Sequence, residues 1–204
     1  MSLIPLGFHG ESVFALVVGC GSVGTRRALA LLNAGAHVRV ISPEISPEIQ
    51  ERRGSDPRLI VQQRKYAGGS DILDANLIVA ATGSAIANER IADDARLTGH
   101  PVNVADAPEK GTFDFLAAHR TGGITVGVSA GGVPAAAMRI RDAIAERIDS
   151  RYSEAVAECA ELRKRTLDEL GADRWREMSD DLIDESFCNS VESGTFAKKA
   201  AVWR

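Results

Sequence analysis

Two stretches of the chain hold residues whose types and spacing could do chemistry. The first is Gly19-Cys20-Gly21-Ser22-Val23-Gly24, within VVGCGSVG. Glycines at this spacing let a chain turn sharply, approach a pyrophosphate closely and pack a helix onto a strand. A helix beginning there offers free N–H donors and the positive end of its dipole to phosphate. The second is Asp106, within HPVNVADAPEKGTF. An ionised carboxylate at the rim of an apolar strand is costly unless it is solvated, paired or used. Two residues ahead of Pro108, it reads as the start of an Asx-turn. At the carboxyl end of a parallel strand beside a cofactor crevice, it reads as a general base.

These groups need particular elements to position them. Phe14–Val18, Val38–Ile41, Leu59–Gln62, Leu77–Ala81 and Val102–Ala105 are short apolar runs, the pattern of strands buried on both faces. Helical spacing over Thr25–Ala34, Ser46–Arg53 and Ala87–Arg96 alternates with them. This alternation predicts an α/β fold, a Rossmann-like doubly wound parallel sheet. Beyond Asp106 the pattern changes. Ile124–Val128 is one more strand, and SAGGVP turns the chain into a helix over Ala135–Arg147. A long amphipathic helix is expected over Arg151–Leu170, a second over Asp173–Ile183, and then a short polar tail. The expected organisation is a dinucleotide-binding domain over 1–112, a dimerisation and substrate-cleft segment over 113–148 and a helical domain over 149–204.

The second strand ends at Ser42, where an acidic residue usually bonds the ribose hydroxyls of NAD. Glu44 lies two residues on and can substitute. Ser42 with Arg39 suits a 2′-phosphate instead, which leaves NAD against NADP open. Net charge is −4, an argument against a nucleic-acid surface. The three cysteines, Cys20, Cys159 and Cys188, have no metal-knuckle spacing. Nor do His9, His37, His100 and His119 have ligand spacing, so no metal site is expected. The start lacks a signal-peptide pattern and no apolar run approaches a membrane span, so a cytoplasmic chain without membrane partners is expected.

Taken in order, Pro5-Leu6, VVGCGSVGTRRALALLNAGAHVRVISPE, LIVAATG with a following AN, VNVADAP, Phe113 and ITVGVSAGGVPAAAMRIRD resemble the precorrin-2 dehydrogenase / sirohydrochlorin ferrochelatase family. The resemblance spans about residues 3 to 148. It implies oxidation of precorrin-2 to sirohydrochlorin with NAD as hydride acceptor, and in many members insertion of iron, Fe(II), into the product. It places NAD on Gly19, Gly21 and Gly24, with Ser22 and Val23 at the pyrophosphate. Ser42, Pro43 and Glu44 lie by the adenosine, and Ala81 and Thr82 end the fourth strand near the cofactor. The family's essential acid falls on Asp106. The segment after it implies a homodimer in which both chains build each site.

The implied tetrapyrrole bears many carboxylates, so arginines and N–H donors should meet it. Arg120, Arg139 and Arg141 are candidates, with Ser129, Gly131 and Gly132 as an anion-binding turn. Asn103 is a further candidate, either for substrate or for holding the turn. Four positions depart from the family pattern. Val133 stands before Pro134, Met138 replaces a common arginine, Ala130 a serine and Leu116 a proline. They bear on metal insertion more than on dehydrogenation. The competing readings are a nucleotide-sensing regulatory domain, which usually keeps the acid after the second strand, and a structural or interaction protein that has kept the fold and lost turnover.

Overall fold

In a computed structural model, residues 3–203 are described. Five of the apolar runs form one parallel sheet. Its strands are β1 (Phe14–Val18), β2 (His37–Ile41), β3 (Leu59–Gln62), β4 (Leu77–Ala80) and β5 (Val102–Val104). Their order is β3-β2-β1-β4-β5. Val17 pairs with Val40 on one side and with Val79 on the other. The chain runs outward from β1 to β3, then returns to place β4 against the opposite side of β1. That reversal opens a crevice at the carboxyl ends of β1 and β4.

Alternation along each strand divides the core. Ala15, Val17, Val38, Val40 and Val79 face one side and pack with Ala28, Leu31 and Leu32 of α1 (Ser22–Asn33) and Ile49 of α2 (Pro47–Arg53). Leu16, Val18, Ile41, Ile78 and Ala80 face the other side, against Ile91, Ala92 and Ala95 of α3 (Ala85–Leu97). A strand covered on both faces has no polar side to show, which is why these strands read as unbroken apolar runs. Ser46 caps α2 by accepting from Ile49 N, with Pro47 in the first turn. Ser84 caps α3 by accepting from Ala87 N. The loop from α2 into β3 is fixed by Asp56, which accepts from Arg52 and Arg58.

The chain divides into two units, 1–115 and 116–204. In the second, β6 (Ala117–Thr121) and β7 (Ile124–Val128) form an antiparallel hairpin, and α4 (Pro134–Arg147) lies against it. Helix α5 (Ser150–Glu169) packs with α6 (Ala172–Leu182), α7 (Phe187–Glu192) and α8 (Phe196–Ala201). Tyr152, Leu162, Met178, Leu182 and Phe196 form that core. The tail expected to be short and polar therefore contributes two helices, because Val191, Phe196 and Ala200 are buried against α5 and α6. The strand β6 was not expected from AAHRT, a half-exposed edge with no apolar run. Ile124–Val128 joins that strand in a sheet of its own.

Candidate functional site

The crevice at the carboxyl ends of the sheet is a cleft of about 930 Å³. Its size suits a small-molecule cofactor, for which clefts of roughly 300–1,000 Å³ are usual. It collects most of the cofactor residues expected from the sequence. Gly19, Gly21, Ser22, Val23, Ser42, Pro43, Glu44, Ala81 and Thr82 all line it, and so does Asp106.

The glycine turn works by what it leaves out. Gly19 has φ +102°, and a Cβ there would lie 2.2 Å from Ala81 O. Gly24 does not line the cleft; a Cβ on it would lie 2.1 Å from Gly19 O. The start of α1 is thus pressed onto the turn, and the turn onto the end of β4. Gly21 differs: a Cβ there would meet nothing within 4 Å. Gly21 lines the cleft, and no side chain caps α1. Its first N–H groups remain available to an anion. These features fit the pyrophosphate of a dinucleotide. Cys20 points inward, where its Sγ accepts from Ser46 N at 3.3 Å.

Beyond β2, Ser42 is buried while Pro43 and Glu44 are exposed on the wall. Arg39, paired with Ser42 in the 2′-phosphate reading, is engaged elsewhere. Its guanidinium donates to Asp74 (2.9 Å to Oδ2) and to the Asp71 carbonyl, and stacks on Phe14. That reading is corrected: Arg39 is not part of the cleft wall. Sequence reasoning missed Lys65, Tyr66 and Arg90, which also line it. They come from the loop after β3 and from α3, so only the tertiary fold brings them there. Tyr66 Oη donates to Asp94 Oδ2 at 2.9 Å. Burial and that neighbouring carboxylate push its phenol upward, so it stays protonated.

Asp106 follows β5 and is exposed. Its Oδ1 accepts from Asn88 Nδ2 at 2.8 Å. Asn88 lies on α3 and is buried, at 1% exposure. Its Oδ1 accepts from Thr82 N at 2.9 Å and Thr82 Oγ1 at 2.7 Å, and its Nδ2 also donates to Thr82 O at 3.2 Å. Lys110 Nζ donates to Glu89 Oε1 at 2.6 Å, and that bond pushes the Lys110 ammonium upward. The signal for Asn88 was present: it shares a helix face with Ile91, Ala92 and Ala95, and an amide on an apolar face must find partners.

Of the substrate-side candidates in the first unit, Asn103 does not line the cleft. Asn103 is buried in β5 and donates to Phe113 O at 3.0 Å. Arg120, Ser129, Gly131, Gly132 and Arg139 are exposed residues of the second unit. Val133 N donates to Ala130 O, and Gly131 and Gly132 between them have φ +56° and +82°. That hydrogen-bonded turn needs glycine at both positions. His119 Nε2 lies 2.9 Å from Ile148 O. Among the described residues, no helix is long and apolar enough to cross a membrane.

A parallel sheet of this order, with a glycine turn at β1–α1 and the cleft above it, defines a Rossmann-type dinucleotide-binding protein. A family model described as "Putative NAD(P)-binding" matches residues 8–117, and the chain belongs to that family. The cofactor class agrees with the NAD expected from the sequence. The chain is similar to siroheme synthases. One, from Ectopseudomonas mendocina (strain ymp), is 38% identical over 76% of this chain and 33% of its own length. Another, from Methylococcus capsulatus, is 34% identical over 86% of this chain and 37% of its own length. The chain thus spans about a third of these relatives. A solved structure titled "SirC, precorrin-2 dehydrogenase" matches with a TM-score of 0.74 at 24% identity, over 98% of this chain and 100% of that one. It shows that both units, the helical one included, follow that fold. The resemblance stated from the motifs is borne out, and these relatives do not favour the nucleotide-sensing reading.

Proposed function

We propose that the chain is an NAD-dependent oxidoreductase that converts precorrin-2 to sirohydrochlorin in siroheme biosynthesis. The observation that carries this reading is Asp106 on the wall of a dinucleotide cleft, in a chain related to siroheme synthases. The reaction removes one hydride and one proton: precorrin-2 and NAD+ give sirohydrochlorin, NADH and H+. When bound, NAD accepts the hydride. The protein's part is to orient the partners and take the proton. Gly19, Gly21, Ser22 and Val23 would hold the pyrophosphate, with Gly24 letting α1 pack onto the turn. Ser42, Pro43 and Glu44 hold the adenosine side, and Ala81 and Thr82 the nicotinamide side. The engagement of Arg39 with Asp74 supports NAD over NADP. Asp106 takes the proton at Oδ2, since Oδ1 is held by Asn88.

The resemblance supports the rest. Arg120, Arg139, Ser129, Gly131 and Gly132 meet the substrate's carboxylates, with Asn103 holding the segment that carries Asp106. The working form is a cytoplasmic homodimer. Insertion of Fe(II) into sirohydrochlorin would be a second use of Asp106, read by adding Fe(II) to sirohydrochlorin with and without protein. The deciding experiment mixes the protein anaerobically with precorrin-2 and NAD. Sirohydrochlorin and NADH should form in equal amounts. Intact precorrin-2 beside folded protein would overturn the proposal, and tight nucleotide binding without turnover would favour a sensing domain.

A further inference from the structure

We infer that Asn88 is a positioning residue: it ties the end of β4 to the Asp106 carboxylate and sets which of its oxygens meets the substrate. This rests on the oxidation proposed for the same cleft.

A buried primary amide is costly unless its hydrogen-bonding capacity is met. Asn88 meets all of it, with two donations and two acceptances. Its orientation is forced. Thr82 N–H can only donate, so the atom facing it is the oxygen, and the atom facing Asp106 is the nitrogen.

The two halves of this amide do different work. The Thr82 half is structural, joining α3 to β4. The Asp106 half satisfies no buried carboxylate, because Asp106 is exposed and water could serve it. What that bond changes is direction. It holds Oδ1, and no hydrogen bond from the described residues reaches Oδ2. Lys110 donates to Glu89 rather than to Asp106. Thr82 lines the same cleft as Asp106, so one amide is fastened both to the cofactor wall and to the proposed base. A base held loosely spends time out of line with the proton it must take, and a displacement of about 1 Å can cost on the order of 100-fold in rate.

The test is Asn88→Asp. It keeps the shape and the acceptor for Thr82 N–H but turns an oxygen toward Asp106. The readouts are kcat and KM for NAD in precorrin-2 oxidation, the Kd for NADH and the melting temperature. We expect kcat to fall on the order of 10- to 100-fold, with KM and Kd for the dinucleotide unchanged. The double variant Asn88→Asp, Asp106→Asn restores a donor opposite an acceptor. It should regain the part of the lost melting temperature that belongs to the Asp106 contact, though not the part that belongs to Thr82 O, while remaining without turnover. A folded single variant with wild-type kcat would overturn the inference. So would a rise in KM alone, which would make Asn88 part of the cofactor wall, or a double variant that melts no higher than Asn88→Asp. A wild-type protein that does not oxidise precorrin-2 would instead sink the proposed function, so the two failures are distinct.

Discussion

Replacing Gly24 and Gly21 by alanine, one at a time, separates two roles that the glycine turn combines. At Gly24 the added Cβ would lie 2.1 Å from Gly19 O and 2.9 Å from Gly19 C. Both neighbours are backbone, so no side chain can swing away. Ordinary contact lies near 3.5 Å, so α1 must lift off the turn by roughly 1 Å. Gly19 is itself packed on the segment that ends β4, where a Cβ on it would lie 2.2 Å from Ala81 O. Overpacking of this kind costs about 1–3 kcal/mol. The same displacement carries the helix N-terminus away from the phosphates, so dinucleotide affinity should fall as well. At Gly21, φ is −73° and a Cβ would meet nothing within 4 Å. Gly21→Ala, at the N-cap of α1, should therefore cost no more than about 1 kcal/mol of stability. Its methyl group fills the side of the turn where the pyrophosphate would approach, so NADH affinity should fall on the order of 10- to 100-fold. Urea denaturation reads stability, and NADH fluorescence titration reads binding. Gly21→Ala binding NADH as tightly as wild type would refute the assignment of this turn to the pyrophosphate. Gly24→Ala with an unchanged denaturation midpoint would refute the packing argument.

Other predictions follow from the ion pairs and stacking of the first unit. Hydrogen bonds from Arg58 and Arg52 hold the Asp56 carboxyl at about 2, below its ordinary 3.8. A carboxyl depressed in the folded state stabilises above its unfolded value and loses that contribution as pH falls through the folded one. The melting-temperature gap between wild type and Asp56→Asn should thus be full at neutral pH and close as pH falls from about 4 to about 2. A gap that stays constant through that window would contradict the assignment. The Arg27 guanidinium lies 4.2 Å from the centre of the Phe115 ring, and burial pulls its pKa down. Arg27→Ala should cost about 1 kcal/mol of stability through the lost stack and the lost stem together, and Arg27→Met, which loses the stack but keeps the stem, about 0.5 kcal/mol. Equal losses in the two variants, measured by urea midpoints, would show that the stem does not contribute.

Legibility in the sequence tracked how local the physics was. The strands β1, buried on both faces, and β3, at the sheet edge with Ile60 exposed, stand where their apolar runs place them, and the glycine turn between β1 and α1 was readable as it stands. Helix α1 begins at Ser22, three residues before the expected Thr25, because Ser-Val-Gly carries no apolar spacing and is helical only through its packing on the turn. The helices α7 and α8 are six residues each, with no side-chain cap, so nothing local announces them. They exist because the helical core covers them. The cleft divides in the same way. Its glycine, Ser42 and Thr82 walls lie at strand ends that the pattern locates. Lys65, Tyr66 and Arg90 reach it across the fold. Arg39 was misplaced because sequence distance from Ser42 says nothing about Asp74, 35 residues away, which claims its guanidinium.

The central claim is that Asp106 takes the proton that accompanies hydride loss, and one paired measurement tests it most directly. Wild type and Asp106→Asn are each titrated with NADH, then mixed with precorrin-2 and NAD while NADH formation is followed. NADH affinity should be equal in the two proteins, and turnover should fall on the order of 100- to 10,000-fold in the variant, the range for a positioned general base. Asp106→Asn turning over at the wild-type rate would contradict it.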